Sequence, residues 1–298
     1  MDYPWSKRHP WVPSWFPTQI KYSIIWHCAG DCHFQCPYCL AGAATRRDLP
    51  LLRTWTDEEA VAAWEQVFNQ LGACHLSFTG LEPSEDLDLI ASVLAWHYGS
   101  IQTNLSFDID RFMALISPGR IDLHPSFHPH AWGMEIAPFM EKVDALLEAG
   151  YHMPLIAVVA YPPYLPRLAE WVEAISERNI YPNIAPMVRA EYEGKPYPES
   201  YTAEEWAMIR NVTPGHSGCL AALKPLHITA CGAGHVVAVV TFSGDIWRCG
   251  KIAGMGDQNL FRDGCIEWLA EPQPCPVEFC PCPQFHQLHI REGREDNE

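Results

Sequence analysis

The 298-residue chain is 48% apolar and holds 12 Trp, which excludes a disordered protein and allows one large core. Its 20 Lys and Arg stand against 36 Asp and Glu, a formal net charge of −16 that repels phosphate backbones and excludes general nucleic-acid binding. The longest apolar run, "MPLIAVVAYPP", is cut by Pro162 and Pro163, too short for a membrane span. The segment 1–19, rich in Trp and Pro, lacks the unbroken apolar stretch of a signal peptide, so a cytoplasmic location is expected. Twelve cysteines are then too dilute for a disulfide scaffold, and metal or cluster binding is the better account of those that group.

The chain next reads as alternating strands and helices. "IKYSIIWHC" is a buried strand, and "TWTDEEAVAAWEQVFNQLG" a helix with Thr56 as N-cap, Glu59 completing a capping box and Gly72 at its end. "ACHLSFTG" is a second strand and "PSEDLDLIASVLAWHYG" a second helix. "SIQTNLSF" and "RIDLHPSFH" are strands three and four, around a short helix near 110–117. "GMEIAPFMEKVDALLEAG" is helical, and "MPLIAVVAYP" and "IYPNIAPMV" complete six strands around the helix "LPRLAEWVEAISERN". Such repeats give a parallel sheet, open or curled toward a barrel, with ligands at the carboxyl ends of its strands. Four unusual loops fall at that rim: "CAGDCHFQCPYC", "TGLEP", Thr103–Asn104 and "SFHPH".

"EYEGKPYPES" reads as a connection, with Glu191, Tyr192, Tyr197 and Tyr201 either at a pocket mouth or in a plain linker. "YTAEEWAMIR" is one more helix, and from about 226 the sequence turns to β, with "FSGD" as a hairpin turn. The Pro-rich 271–285 cannot be regular, and the end of the chain is expected to be a solvated tail.

Cys32, Cys36 and Cys39 form C-x3-C-x2-C, three thiolates able to hold three corners of a cubane and leave one iron open. The pattern resembles the signature of the radical S-adenosylmethionine (radical SAM) superfamily. The resemblance implies a [4Fe–4S] cluster that binds S-adenosylmethionine (AdoMet) and cleaves it to a 5′-deoxyadenosyl radical. It also implies a partial (β/α)6, TIM-like barrel over 20–200. Tyr38 matches the aromatic residue beside the adenine, and "GLEP" resembles the family's GGEP motif. Gly80 would let the backbone approach the methionine end, with Glu82 accepting from its ammonium and Pro83 following. Leu81 departs from the pattern, and the family's glycine-rich motif on strand five is replaced by "AVVAYPP". Ser126 would reach the ribose or carboxylate, and His124, His128 and His130 would line the pocket or serve the structure. Zinc is the competing reading of the loop, with Cys28 as fourth ligand. Otherwise Cys28 is a buried small side chain or a hydrogen-atom donor, and Cys74 and Cys219 share that pair of readings.

Cys231, Gly244 and Cys249 form C-x12-G-x4-C, which resembles the opening of the SPASM or twitch extension of such enzymes. That implies a lobe over 226–285, after a linker at 201–225 and before a charged tail at 286–298. One auxiliary [4Fe–4S] cluster would be held by Cys231 and Cys249, completed from Cys275, Cys280 and Cys282 with one to spare, Cys265 being set aside. A zinc-stapled hairpin is the alternative. The function implied is hydrogen abstraction from a small molecule such as a sugar or aminocyclitol and its oxidation, with a flavodoxin- or ferredoxin-type electron donor. A peptide maturase, and a non-catalytic iron–sulfur or zinc protein, are the alternatives.

Overall fold

The fold is that of a computed structural model, which describes residues 20–39, 53–188, 190–212, 230–250, 252, 255–276 and 289–290. Cys219, Cys280 and Cys282, with segments 1–19 and 291–298, lie outside the described residues.

Helix α1 (Asp57–Leu71) begins as its capping box dictates. Thr56 Oγ1 accepts from the Glu59 amide at 3.2 Å, and Glu59 returns a bond to the Thr56 amide at 2.8 Å. Gly72 ends it at φ +76°, its amide donating back to Phe68. The remaining repeats follow in order: β1 (Ser23–Ala29), β2 (His75–Gly80), α2 (Leu87–Val93), β3 (Tyr98–Thr103), α3 (Ile109–Leu115), β4 (Ile121–Phe127), α4 (Ala137–Glu148), β5 (Leu155–Ala160), α5 (Leu168–Ser176) and β6 (Tyr181–Pro186). Strand β3 stops four residues before the end of the "SIQTNLSF" stretch. Leu105 turns into the left-handed region at φ +57°, and its amide bonds Thr103 Oγ1 instead of continuing a ladder.

The six strands pair in parallel and in sequence order. One face of the sheet is aromatic and meets the helices. Trp26 packs on Trp64 of α1 with ring centroids 5.1 Å apart, and Phe127 packs on Phe139 of α4 and Trp171 of α5. Each such buried side chain contributes roughly 1.5–3 kcal/mol. Helices gathered on one face curl a parallel sheet toward a barrel, so the opposite face becomes its lumen. By alternation Ser77, Thr79, Ser100, Gln102, His124 and Ser126 face that lumen. Ser100 donates to Ser77 at 3.3 Å and Thr79 to Gln102 at 3.2 Å across neighbouring strands.

The C-terminal hairpin is not set apart from the barrel. Its first strand, β10 (Val237–Val240), pairs in parallel with β1 from Ser23↔Val237 to Trp26↔Val240. Strand β11 (Ile246–Trp247) returns antiparallel to it, giving an eight-stranded sheet ordered β11-β10-β1-β2-β3-β4-β5-β6. The "EYEGKPYPES" connection is itself a hairpin, β7 (Ala190–Tyr192) and β8 (Lys195–Tyr197). It turns at Glu193 and Gly194, both at positive φ, as a two-residue hairpin turn requires. Helix α6 (Ala203–Val212) follows, then β9 (Ala230–Cys231), the short helix α7 (Leu260–Asp263) and β12 (His289–Ile290). Strand β12 pairs with β9, so the expected tail contains a short strand.

Candidate active site

The thiol loop leaves β1 at its carboxyl end and stays at the rim. Cys32, Cys36 and Cys39 are half-buried. Two hydrogen-bond donors meet Cys32 Sγ: the Phe34 amide at 3.4 Å and Asn104 Nδ2 at 3.7 Å. His128 Nδ1 stands 3.6 Å from Cys36 Sγ and 3.0 Å from the Tyr38 hydroxyl. Donors on sulfur stabilise thiolate ligands and tune a cluster's potential. No three His, Cys, Asp or Glu side chains among the described residues converge on one point, as a single ion would need. Three thiols on one loop, with donors at Cys32 Sγ, are the donor set that a cubane cluster takes.

The β2–β3 rim fixes this loop through Glu82. Its carboxylate is 1% exposed and accepts from Ser84 Oγ at 2.6 Å, Thr103 Oγ1 at 2.7 Å and the Asn104 amide at 2.8 Å. The Ser84 amide adds a fourth bond at 3.2 Å, where Pro83 opens a short 3-10 turn. Burial lifts this carboxyl above its ordinary value, against the pull of the four donors. The same segment grips β1, with the Leu81 amide on Ala29 O and the Glu82 amide on Asp31 O. Gly80 sits at φ +132°, and a Cβ there would lie 2.3 Å from Ala29 O. Its glycine is thus required by the neighbouring strand. Gly80→Ala is expected to cost on the order of 1–3 kcal/mol from backbone strain alone. Urea denaturation checks this, and wild-type stability in the variant would refute the close approach.

An aromatic wall completes the rim. Tyr38 is buried and stacks on His128, with Tyr161 at 5.4 Å and Tyr164 at 6.0 Å between centroids. Tyr192, from β7, stands edge-on to Tyr161 at 5.1 Å. Burial lowers His128 to about 4, so its imidazole is neutral, with His130 adding to the effect. Both ring nitrogens of His130 are buried beside Tyr38 with no hydrogen-bond partner among the described residues, polar atoms that a polar ligand could bond. Tyr161 was not singled out by sequence. Its signal is an aromatic residue ending strand five where a glycine-rich motif was sought.

The remaining residues separate clearly. Cys28 is fully buried in the core, its thiol 3.5 Å from Thr79 O and pushed up by burial. Cys74 is likewise buried, its thiol pushed up to about 12. Tyr201 is a buried brace that donates to Ala160 O at 2.5 Å and accepts from the Met187 amide at 2.8 Å. Ser126 faces the lumen opposite Ala157 of β5. Cys231, Cys249 and Cys275 lie on segments that meet one another, while Cys265 precedes Ile266, which bonds Gln70 of α1.

No family model and no curated protein matches the chain. Among solved structures, anSMEcpe with bound AdoMet and the Cp18Cys peptide aligns over 80% of this chain and 77% of its own, at TM-score 0.56 and 15% identity. The AdoMet complex without peptide aligns over 80% and 78%, at TM-score 0.57 and 14% identity. The chain has the radical SAM fold, a partial TIM-like barrel. Within that class it is similar to AdoMet-bound anSMEcpe, a likeness of fold at this level of identity.

Proposed function

We propose that this chain is a radical SAM enzyme that oxidises a small hydroxylated molecule such as a sugar or aminocyclitol. The observation that carries the reading is the loop of Cys32, Cys36 and Cys39, held at the strand-end rim with two donors directed at Cys32 Sγ and His128 beside Cys36 Sγ. When bound, a [4Fe–4S] cluster with AdoMet supplies hydrogen-atom abstraction, and an auxiliary [4Fe–4S] cluster supplies an electron acceptor. Cys32, Cys36 and Cys39 hold the first. Tyr38 offers its ring to the adenine, with Tyr161 alongside. Gly80, Glu82 and Pro83 shape the rim that receives the methionine end, and Ser126 reaches in from β4. Cys231 and Cys249, completed from Cys275, Cys280 and Cys282, hold the second.

The lumen supports the substrate class. On β2, β3 and β4 it is lined by hydroxyls, an amide and imidazoles, and burial lowers His75 and His124 to about 4, leaving both neutral. The one acid facing inward on β1–β6, Asp122, is taken by His152 at 2.9 Å. A strongly charged substrate would need a counter-charge there. A flavodoxin- or ferredoxin-type protein would supply the electron, in the cytoplasm. No helix among the described residues is long and apolar enough to cross a membrane. A second reading, a peptide substrate, is favoured by the peptide bound to anSMEcpe.

The test is anaerobic reconstitution with iron and sulfide, reduction by dithionite, and AdoMet. Formation of 5′-deoxyadenosine is expected, stimulated by a polyol or aminocyclitol that emerges two hydrogens lighter. Stimulation by cysteine-bearing peptides instead would favour the second reading, and no AdoMet cleavage at all would sink both.

A further inference from the structure

The segments carrying Cys231, Cys249 and Cys275 converge on one side chain, Arg248. Its Nε donates to Ala233 O at 2.9 Å and Nη1 to Pro274 O at 3.0 Å. Its Nη2 donates to Gln273 O at 2.7 Å and Cys231 O at 3.4 Å. These acceptors flank two of the cysteines, and the third is Arg248's own neighbour. Gly234, at φ +85°, lets the chain fold over the arginine stem, since a Cβ there would lie 2.9 Å from Arg248 Cγ.

Arg248 is 8% exposed and is the one buried cation among the described residues. Its guanidinium is met by carbonyl dipoles, and among the described residues no carboxylate pairs with it. A buried, unbalanced charge costs several kcal/mol unless an opposite charge lies nearby. The groups nearby are thiols. The Ala233 amide points at Cys231 Sγ at 3.4 Å, the same residue-plus-two geometry as Phe34 on Cys32. Thiolates around a cluster carry the negative charge that this corner lacks.

We propose that Arg248 is the positioning and charge-balancing residue of the auxiliary thiolate centre, joining its three cysteine segments and offsetting its negative charge. The proposal rests on the auxiliary-cluster reading above. A planar guanidinium suits the task because one rigid fork serves four carbonyls at once, which an ammonium cannot do. A positive charge beside a cluster favours its reduced, more negative state, so Arg248 raises the reduction potential.

The test uses the full chain, reconstituted anaerobically, as wild type, Arg248→Gln and Arg248→Lys. Iron and sulfide are counted, and the paramagnetic signal insensitive to added AdoMet is followed through a redox titration. Wild type should hold roughly eight irons per chain. Arg248→Gln should fall to about four, or keep the centre with its reduction at least tenfold less favourable, a shift of about 59 mV for one electron. Arg248→Lys keeps the charge without the fork, and should hold less than half of the auxiliary iron at an unchanged potential. Wild-type iron and potential in Arg248→Gln would overturn the proposal. If that variant does not fold, full auxiliary iron in Arg248→Lys would overturn it. Only about four irons in wild type, with AdoMet still cleaved, would overturn the auxiliary centre and this role together, leaving the radical SAM reading intact.

Discussion

Replacing Cys32, Cys36 and Cys39 together by Ala should abolish 5′-deoxyadenosine formation and lower reconstituted iron from roughly eight per chain to about four. Three thiolates leave one iron open to AdoMet, and no described side chain stands ready to replace them: Cys28, the nearest cysteine in sequence, is sealed in the core. Cys28→Ala is the matched control. It removes one buried sulfur, so a cost of about 1 kcal/mol is expected, with iron and AdoMet cleavage unchanged. Activity in the triple variant, or iron loss in Cys28→Ala, would overturn the assignment of these thiols.

Glu82→Ala should be the most damaging single change outside the cysteines. It leaves the Ser84 hydroxyl and amide, the Thr103 hydroxyl and the Asn104 amide without their common acceptor in a closed site. Each orphaned donor costs about 1–3 kcal/mol. Water entering the vacated space recovers part of this, so a net loss of about 3–5 kcal/mol is expected, as for other broken buried networks. Glu82→Gln keeps one acceptor oxygen but turns an N–H toward the Asn104 amide, for about 1–3 kcal/mol. The damage should travel, because Asn104 also holds Cys32 Sγ. Iron occupancy should therefore fall with stability, and urea denaturation beside iron analysis reads both. A Glu82→Ala variant within about 1 kcal/mol of wild type would remove the argument. The pH slope has a defined sign. Burial raises the folded carboxyl above its ordinary 4.5, so the folded state binds that proton more tightly than the unfolded one. The carboxyl's contribution to stability then falls as pH rises past 4.5, and Glu82→Gln should lack this component.

Local chemistry made much of the barrel legible. Thr56, Glu59 and Gly72 announce α1, and apolar runs bounded by turn residues announce six strands. The thiol spacing gives the loop, and strand polarity places it at the rim. What local pattern cannot carry is pairing across long separations. Nothing in "VVAVV" says that it lies parallel to a strand more than two hundred residues earlier. Nor could "TNLSF" reveal that Glu82 captures Asn104 and ends β3, because the captor sits on the loop after another strand. The GLEP stretch was legible as a motif, but not the contacts it makes within the fold: Gly80 accommodates β1, and Glu82 accepts from Ser84, Thr103 and Asn104. Arg248 escaped notice because a charged residue beside a hairpin cysteine reads as a solvated side chain.

The pairing of β10 with β1 has a consequence for how separable the two ends of this chain are. Without β10, β1 would become an edge strand, exposing the unpaired amides and carbonyls of Ser23–Trp26 as a template for aggregation. Phe242, at the tip of the same hairpin, packs on Gly30 and accepts from Trp55 Nε1 at 2.7 Å, so the first thiol loop also leans on it. The C-terminal region is therefore no detachable module to be shed or exchanged as a cassette. Inheritance, truncation and unfolding should treat both thiol groups as one unit, joined through a single shared strand.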